Sequence, residues 1–356
     1  MIRVGFGVLS ACCLLAFGLP GAQTSAPSSP TQDQPPSAQA QSGSPQKSIS
    51  VSVNEVIVPV TVTDEKGRFV SDLDQKDFQI FDEGKPQKIE YFSRERNQPV
   101  VVGFLIDQSN ASRIHWKAYQ DSAAELALTL LPGDEKFSGY LIGYGNDAEL
   151  LVNTTHDGEK IVEKIRAMKP GGGAALYDAI YRACTSRELV KGEPVEPRRV
   201  IVIVGDGHDN SSKKTLNEVL ELAQRNLVTI YGVSTVAFGF NNADEANLIK
   251  LAEETGGRVA YPLQGVYKDI SGYLSTPQDA GNYSLTVGTG GYASELANSL
   301  FRAVADIAGE VTTQYILRYI PSENDVKPKQ FRNLNVKVSL SNVKVRARKG
   351  YYPLAP

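Results

Sequence analysis

Residues 107–112 place a carboxylate and hydroxyl groups at the end of a strongly apolar segment. The run Val100–Ile106 is continuous and apolar and stops at Asp107, after which the chain reads Gln-Ser-Asn-Ala-Ser. Carboxylate and hydroxyl oxygens are the ligands that Mg²⁺ and Ca²⁺ prefer. Ala111 interrupts the set, because its side chain has no oxygen. The stretch therefore indicates a working cation site, a decayed one or a polar strand end.

The elements around this stretch alternate between strands and helices from residue 97 to residue 311. The helices show apolar residues at steps of three and four, as in Trp116–Leu130. Continuous apolar runs that suit buried strands include Val100–Ile106, Phe137–Tyr144, Val200–Val204 and Val228–Val233. The pattern predicts an α/β fold with a doubly wound, mostly parallel sheet of Rossmann type, covered by helices on both faces. Ala148–Val152 is predicted as an antiparallel edge strand.

Ligands of such open sheets bind at the carboxyl ends of the strands. Three loops are expected to meet at this rim, namely 107–111, 171–179 and 205–210. An insertion at residues 262–292 follows another strand end and should lie on the same rim. Its tyrosines could contact a partner protein or pack onto their own domain. These tyrosines are Tyr267, Tyr273, Tyr283 and Tyr292.

Two flanking segments have the spacing of β-strands. In residues 49–96, valines recur at every second position and are followed by hairpin turns, which predicts a β-sandwich-like module. Residues 312–356 form a C-terminal strand segment. These later strands either extend the main sheet or complete the N-terminal module.

The N-terminus has the features of an export signal. Residues 1–22 read as a signal peptide, and residues 23–48 as a disordered linker rich in Ser, Pro, Gln and Ala. Removal of the signal would leave no membrane span, and lipidation at Cys12 is the alternative to cleavage near Ala22. We expect a periplasmic, secreted or cell-surface protein. Cys184 then remains as a single thiol, expected to be a buried packing residue.

Several classes of function are not supported by the sequence. A net charge of −3 gives no electrostatic case for nucleic-acid binding. The chain has no Gly-x-Ser-x-Gly elbow, and the glycines at 171–173 lack the Lys-Ser/Thr pair of a phosphate loop. His208 is expected to be a solvated loop residue. The small basic clusters at 198–199 and 346–349 are expected to be solvated strand ends.

The order of strands and helices, together with these three loops, resembles a von Willebrand factor type A domain. The flanking segments resemble those of bacterial, acidobacterial-type secreted proteins related to this family. The similar stretches are Asp77–Gly84, Gln314–Tyr319 and Val345–Tyr352, so the resemblance covers about residues 50–353.

The resemblance implies a metal-ion-dependent adhesion site for Mg²⁺ or another divalent cation. Of the family's ligand positions, Asp107, Ser109 and Asp206 match, whereas Ala111 and Ala174 stand where the family has a serine and a threonine. The site is therefore predicted to be degenerate. Waters could replace the lost hydroxyls, or the two aspartates could be relics that accept hydrogen bonds from loop amides. Ser112 is one position late, and its side chain is expected to point elsewhere.

The favoured interpretation is a non-catalytic, exported adhesion-type module that binds an unidentified protein partner through the rim. The alternatives are a metal-independent structural component of the cell envelope and, less favoured, a hydrolase that uses rim carboxylates. Beyond the candidate metal ligands, the rim residues expected to contact the partner are Gly172, Gly173, His208, Asp209, Tyr267, Tyr273, Tyr283 and Tyr292.

Overall fold

The structure of the protein, a computed structural model, describes residues 55–94, 99–113, 116–186, 189, 198–235, 243–262, 290–321 and 330–353. The described strands are β1 Val56–Asp64, β2 Phe78–Asp82, β3 Lys85–Gln87, β4 Tyr91–Ser93, β5 Val100–Asp107, β6 Phe137–Tyr144, β7 Ala148–Thr155, β8 Arg198–Gly205, β9 Thr229–Ser234, β10 Val259–Ala260, β11 Tyr315–Tyr319, β12 Arg332–Val338, β13 Val343–Ala347 and β14 Gly350–Tyr351. The described α-helices are α1 Trp116–Leu130, α2 Gly158–Ala167, α3 Leu176–Thr185, α4 Leu216–Arg225, α5 Ala243–Thr255 and α6 Gly290–Thr313.

Six strands form the central sheet in the order β10-β9-β8-β5-β6-β7. β5 lies in the middle and pairs in parallel with β8 on one side and β6 on the other. β7 pairs antiparallel with β6 at the edge, where the sequence predicted an antiparallel strand. The predicted α/β fold with a mostly parallel sheet is confirmed.

Both faces of this sheet are buried, as the continuous apolar strands require. Successive side chains of a strand point to opposite faces. Val102 and Phe104 of β5 therefore belong to the apolar layer formed with α1, α2 and α6. Val101 and Leu105 belong to the opposite layer, formed with α3, α4 and α5. Cys184 of α3 is buried in this second layer, in the packing role expected of it.

The remaining strands form two antiparallel sheets, β13-β1-β11-β4 and β14-β12-β2-β3. β1 lies between β11 and β13, and β2 pairs with β12. The C-terminal strands therefore complete the N-terminal β module and do not extend the central sheet. The alternating valines of β1 pack in its core with residues such as Ile80, Leu317 and Tyr319.

The β module packs against the amino ends of the central parallel strands. Arg198, the first residue of β8, donates to the side chain of Gln314, which in turn donates to the Thr61 hydroxyl of β1 at 3.0 Å. Arg348 donates to the carbonyl of Leu227, just before β9, at 3.0 Å. The carboxyl ends of the strands, where the rim loops lie, are therefore at the far end of the sheet from the module.

The arginines of the basic clusters are not solvated strand ends, so that expectation was wrong for them, whereas Lys349 is exposed as expected. Arg348 is 2% exposed, and burial lowers its pKa to about 10. Arg199 donates to the carbonyl of Ala183 at 3.0 Å, and Arg346 pairs with the buried carboxylate of Glu310. These arginines bind oxygen atoms of neighbouring elements, a role that composition alone does not reveal.

The last helix begins earlier than its apolar stripe indicated. Residues 290–292, which the sequence assigned to the insertion, belong to α6. Tyr292 is thus a helical residue, of whose side chain the structure gives no description. Tyr267, Tyr273 and Tyr283 lie outside the described residues.

Candidate functional site

Three adjacent parallel strands end side by side at the rim. β5 ends at Asp107, which lies opposite Tyr144, the last residue of β6. β8 ends at Gly205, directly before Asp206. The structure therefore brings Asp107 and Asp206 together, and Tyr144 is a third neighbour that the sequence reasoning missed.

The first loop is fixed to the glycine-rich loop by backbone hydrogen bonds. The N–H of Gly171 donates to the carbonyl of Gln108 at 2.6 Å, and the N–H of Asn110 donates to that of Gly172 at 3.1 Å. Gly172 has a φ of +90°, which only glycine adopts at little cost. The two loops are thus held together without any metal ion.

The glycine-rich loop and the third loop are joined by side chains that cap helix α3. Asp209 Oδ2 accepts from the N–H of Tyr177 at 2.9 Å, and the Ser212 hydroxyl accepts from the N–H of Asp178 at 2.9 Å. The Asp178 carboxylate accepts in return from the N–H groups of Lys213 and Lys214, each at 3.1 Å. Asp209, expected at the partner-binding rim, thus uses its carboxylate to cap a helix.

Ala174 occupies a closed position. It is fully buried, its N–H donates to Asn210 Oδ1 at 2.9 Å, and its carbonyl accepts from the N–H of Asn210 at 3.0 Å. The second loop therefore offers no oxygen from position 174 to an ion.

Ser112 is buried and Ala111 is exposed, whereas the sequence predicted that the Ser112 side chain points away from the site. Residues 110–113 form one turn of 3₁₀ helix. This turn leaves Ala111 exposed and buries Ser112, which is only 2% exposed. The expectation that Ser112 points elsewhere was wrong, because the short helix shifts the side-chain order by one position.

Around Asp107, four buried oxygen atoms have no hydrogen-bond partner among the residues that the structure describes. They are Asp107 Oδ2, Ser109 Oγ, Ser112 Oγ and the Tyr144 hydroxyl. The other Asp107 oxygen, Oδ1, accepts from the N–H of Ser109 at 2.7 Å. A β-carbon at Gly205 would lie 3.5 Å from Asp107 Oδ2 and would collide with the Tyr144 hydroxyl. The absence of a side chain at Gly205 thus leaves room for both oxygens.

Asp82, in the β module, shows how the same chain satisfies a buried carboxylate that has a structural role. Asp82 is fully buried. It pairs with Arg332 at 2.9 Å and accepts from the hydroxyls of Tyr319 and Tyr351 at 2.9 and 3.1 Å. Buried polar groups are normally satisfied in this way. The unsatisfied Asp107 Oδ2 therefore marks a place where a polar or charged ligand fits.

The electrostatics of Asp107 agree with that conclusion. Burial raises the pKa of Asp107 to about 6, the N–H of Ser109 opposes this shift, and the Asp206 charge adds to it. The hydroxyls of Ser112 and Ser109 lie close enough to favour the charged form, although neither has hydrogen-bond geometry. Burial and the charges of Asp107 and Asp206 also raise the pKa of Tyr144. A cation here would relieve these unfavourable interactions.

His208 is bound on both its backbone and its ring. Its N–H donates to Asp206 Oδ1 at 2.9 Å, and its Nδ1 lies 2.8 Å from Asp244 Oδ2 in α5. The hydrogen bond to Asp244 raises the pKa of His208, burial lowers it, and the charges of Asp244, Asp206 and Asp107 raise it further. His208 thus ties the third loop to α5 and is not a freely solvated side chain.

The residues present fit a hard divalent cation. Carboxylate and hydroxyl oxygens from Asp107, Ser109 and Ser112 would hold it, with Asp206 adjacent. Among the described side chains, no three His, Cys, Asp or Glu residues lie close enough to hold a metal ion. Hydroxyl groups must therefore complete any such site, which disfavours soft, thiolate-seeking metals.

Tyr144 and Gly205 were missed as neighbours of Asp107, and Ser112 was named but placed outside the site, because the loop comparison considered only family positions. The sequence held one usable signal for Tyr144. It is the last residue of a predicted strand whose parallel neighbours end in the candidate ligands, so the strand-end rule applied to it as well.

The sequence profile of the von Willebrand factor type A domain matches residues 102–265. The comparison with curated proteins found no match. Solved structures with a similar fold include a von Willebrand factor type A protein from Catenulispora acidiphila, at 11% identity and a TM-score of 0.41, covering 73% of this chain and 72% of that one. The conserved hypothetical protein BatB from Bacteroides thetaiotaomicron is 16% identical, with a TM-score of 0.35, covering 45% and 88%.

A third similar structure is proximal thread matrix protein 1 from the mussel byssus, with a zinc-occupied MIDAS motif. It is 12% identical, has a TM-score of 0.41, and the match covers 65% of this chain and 50% of that one. These likenesses are distant, so the assignment rests on the sequence match and on the strand order described above. Residues 102–265 of this chain belong to the von Willebrand factor type A family, and the protein carries a domain of that family.

Proposed function

We propose that this protein is an exported, non-catalytic binding module that captures a protein partner on the rim of its von Willebrand A domain. Domains of this family are generally modules of protein interaction and adhesion. A divalent cation bound by Asp107, Ser109 and Asp206, in a site that lacks side-chain oxygens at Ala111 and Ala174, assists the capture. The partner surface extends over Gly172, Gly173, His208 and Asp209 to the tyrosines of the insertion.

The observation that carries the proposal is the set of unpartnered buried oxygens inside a rigid rim. The three loops are joined to one another by backbone and capping hydrogen bonds, so their oxygens are held in place before any ligand arrives. Such preorganisation lowers the entropic cost of binding. The β module occupies the opposite end of the sheet and therefore does not cover the rim.

The same geometry supports the absence of catalysis. A nucleophilic serine needs a base within hydrogen-bond reach. The Ser109 hydroxyl has no hydrogen-bond partner, and the ring of His208 is bonded to Asp244. Within the described part of the rim, the side chains include ligands for an ion but no base bonded to this hydroxyl.

Photo-crosslinking in cells of the source organism tests partner capture. A photoreactive amino acid replaces Asn110 or Lys213, both exposed at the rim, or Glu135, exposed at the opposite end of β6. We expect one discrete adduct from both rim positions and none from Glu135. The same adduct from Glu135, or no adduct from either rim position, would overturn the proposal.

A metal-independent structural role in the envelope is the second candidate. It is favoured by the hydrogen bonds of Asp107 and Asp206, each of which accepts from an N–H of its own loop. The crosslinking experiment separates the two candidates when it is repeated with Asp107→Asn and Asp206→Asn. Loss of the rim adduct supports ion-assisted capture, whereas an unchanged adduct supports the structural role.

Export is tested by sequencing the N-terminus of the protein from the envelope and the medium. A mature chain that begins near Gln23 is expected. A chain that begins at Cys12 would indicate lipidation. A chain that still begins at Met1 would contradict removal of a signal peptide.

A further inference from the structure

The turn of 3₁₀ helix at residues 110–113 changes which hydroxyl faces Asp107. At position 111, where the family resemblance places a hydroxyl, the side chain is an exposed alanine. At the next position, Ser112 is 2% exposed and its hydroxyl has no hydrogen-bond partner. Position 111, which lacks the hydroxyl that the family resemblance implies, and Ser112, whose buried hydroxyl has no partner, are thus adjacent in sequence.

We propose that Ser112 supplies the hydroxyl ligand that position 111 lacks, so that Asp107, Ser109 and Ser112 of one loop hold a divalent cation beside Asp206. This inference deepens the proposed function by naming a ligand of the same rim. The cation is a hard one of the Mg²⁺, Mn²⁺ or Ca²⁺ class, because all candidate ligands are oxygens.

The burial of Ser112 is the first argument. A buried hydroxyl without a partner is unfavourable relative to a satisfied one, because the loss of its hydration is not compensated. The serine in helix α1 shows the ordinary solution, since the Ser122 hydroxyl donates to the Ala118 carbonyl at 2.8 Å. Ser112 lies in a single turn of 3₁₀ helix and has no such bond among the described residues, so its hydroxyl oxygen is free to bind an ion.

The convergence of ligands is the second argument. Ser109 and Ser112 lie two and five residues after Asp107 in one short loop, and Asp107 Oδ2, Ser109 Oγ and Ser112 Oγ are all buried and unpartnered among the described residues. A single short loop therefore supplies three buried oxygens to the same end of β5. Position 174 is closed by Asn210, so any remaining ligand positions fall to water or to a partner's carboxylate.

Mn²⁺ binding to the full chain tests the inference by electron paramagnetic resonance, which counts free Mn²⁺ without any assay of function. Four variants are compared with the unchanged chain, namely Ser112→Ala, Ser109→Ala, Ala111→Ser and Ser122→Ala. We expect Ser112→Ala and Ser109→Ala each to weaken Mn²⁺ binding by about tenfold or more. Ser122→Ala removes a buried serine outside the rim, and Ala111→Ser adds a hydroxyl that faces solvent, so neither should change the affinity.

A thermal melt in EDTA accompanies each variant and shows whether it folds. Ser112→Ala should melt at or above the temperature of the unchanged chain, because it removes an unsatisfied polar group. Lower stability of this variant, without metal, would show that the hydroxyl has a structural partner and would overturn the inference. Equal Mn²⁺ affinity of Ser112→Ala, tighter binding by Ala111→Ser, or no Mn²⁺ binding at millimolar concentration would overturn it as well.

Failure of this inference and failure of the proposed function give different results. If the rim adduct persists in EDTA and the chain binds no Mn²⁺, partner capture is supported and the ion site is contradicted. If Mn²⁺ binding depends on Ser112 and the chain forms no rim adduct, the ion site is supported and partner capture is contradicted.

Discussion

Asp209 Oδ2 accepts a hydrogen bond from the backbone N–H of Tyr177 at 2.9 Å, across 32 residues of sequence. Tyr177 lies in the first turn of α3, and the residue at the N-cap of that helix, Ala175, provides no side-chain cap. The third loop therefore supplies the cap that the helix lacks. This bond positions the glycine-rich loop that precedes α3.

Asp209→Ala should lower the free energy of unfolding by about 1–2 kcal/mol, the usual cost of losing a helix cap. Chemical denaturation measures this loss. Asp147→Ala, an exposed carboxylate on the β6–β7 turn, is the matched control and should change stability by less than about 0.5 kcal/mol. Equal losses in the two variants would show that Asp209 is only a surface charge.

Asp107→Asn should stabilise the metal-free protein at neutral and alkaline pH. The folded-state pKa of Asp107 is raised to about 6 from the ordinary 3.8, so folding favours its protonated form. This preference contributes about 3 kcal/mol to the free energy of unfolding. The contribution is fully present below pH 3.8 and is lost as the pH rises through 6. The asparagine keeps an oxygen for the Ser109 N–H and carries no charge.

Thermal melts in EDTA between pH 4.5 and pH 8 check this prediction. The advantage of Asp107→Asn should grow with pH, whereas Glu135→Gln, exposed at the opposite end of β6, should show no such trend. An Asp107→Asn variant that is less stable at pH 8 would indicate a carboxylate held in place for structural reasons.

Gly205→Ala should abolish cation binding, because its methyl group would occupy the space beside Asp107 and the Tyr144 hydroxyl. A β-carbon at Gly171 on the same rim meets nothing within 4 Å, so Gly171→Ala is the control. Mn²⁺ titration of both variants should separate them by about tenfold or more in affinity. Similar affinities would mean that the ion lies elsewhere.

Glu310→Gln should strongly destabilise the contact between the β module and the central sheet. Glu310 is 1% exposed and its Oε1 accepts from both Arg258 and Arg346. Removal of the charge leaves two arginines without their shared partner, which costs about 3 kcal/mol or more. Asp306→Asn removes an exposed partner of Arg258 at 3.6 Å and should cost less than about 1 kcal/mol.

Denaturation followed by both fluorescence and circular dichroism measures this effect. We expect a single transition for the unchanged chain and a lower midpoint for Glu310→Gln. A similar midpoint for Glu310→Gln and Asp306→Asn would show that the buried pair contributes little to stability.

The central fold was predictable because its signals are local and periodic. β5, which ends at Asp107, is continuously apolar because both of its faces are buried. α1 has an apolar stripe because one of its faces is buried. The pairing of β1 with β11 and β13 was not predictable, since both candidate sheets accept a strand of alternating valines. Long-range contacts, and not propensity, decide such pairings.

The candidate site was only partly predictable for a related reason. The strand-end rule placed Asp107 and Asp206 together, but it carries no information about the turn that buries Ser112 and exposes Ala111. One turn of 3₁₀ helix changes the side-chain order by a single position, which sequence spacing does not resolve. The cap from Asp209 to Tyr177 likewise depends on two loops meeting in space.

The position of β1 between two C-terminal strands determines when the β module can form. Arg318 of β11 donates to the side chain of Glu55, which directly precedes β1, across 263 residues of sequence. β1 is therefore synthesised before the α/β domain, whereas β11 and β13, the strands that pair with it, are synthesised after that domain. Closing so long a loop is entropically costly, and a folded α/β domain lowers that cost by holding the two ends near each other. A chain that stops before β13 would leave one edge of β1 unpaired, which is a template for aggregation. The pairing of β1 within the β module therefore depends on the synthesis of the C-terminal strands.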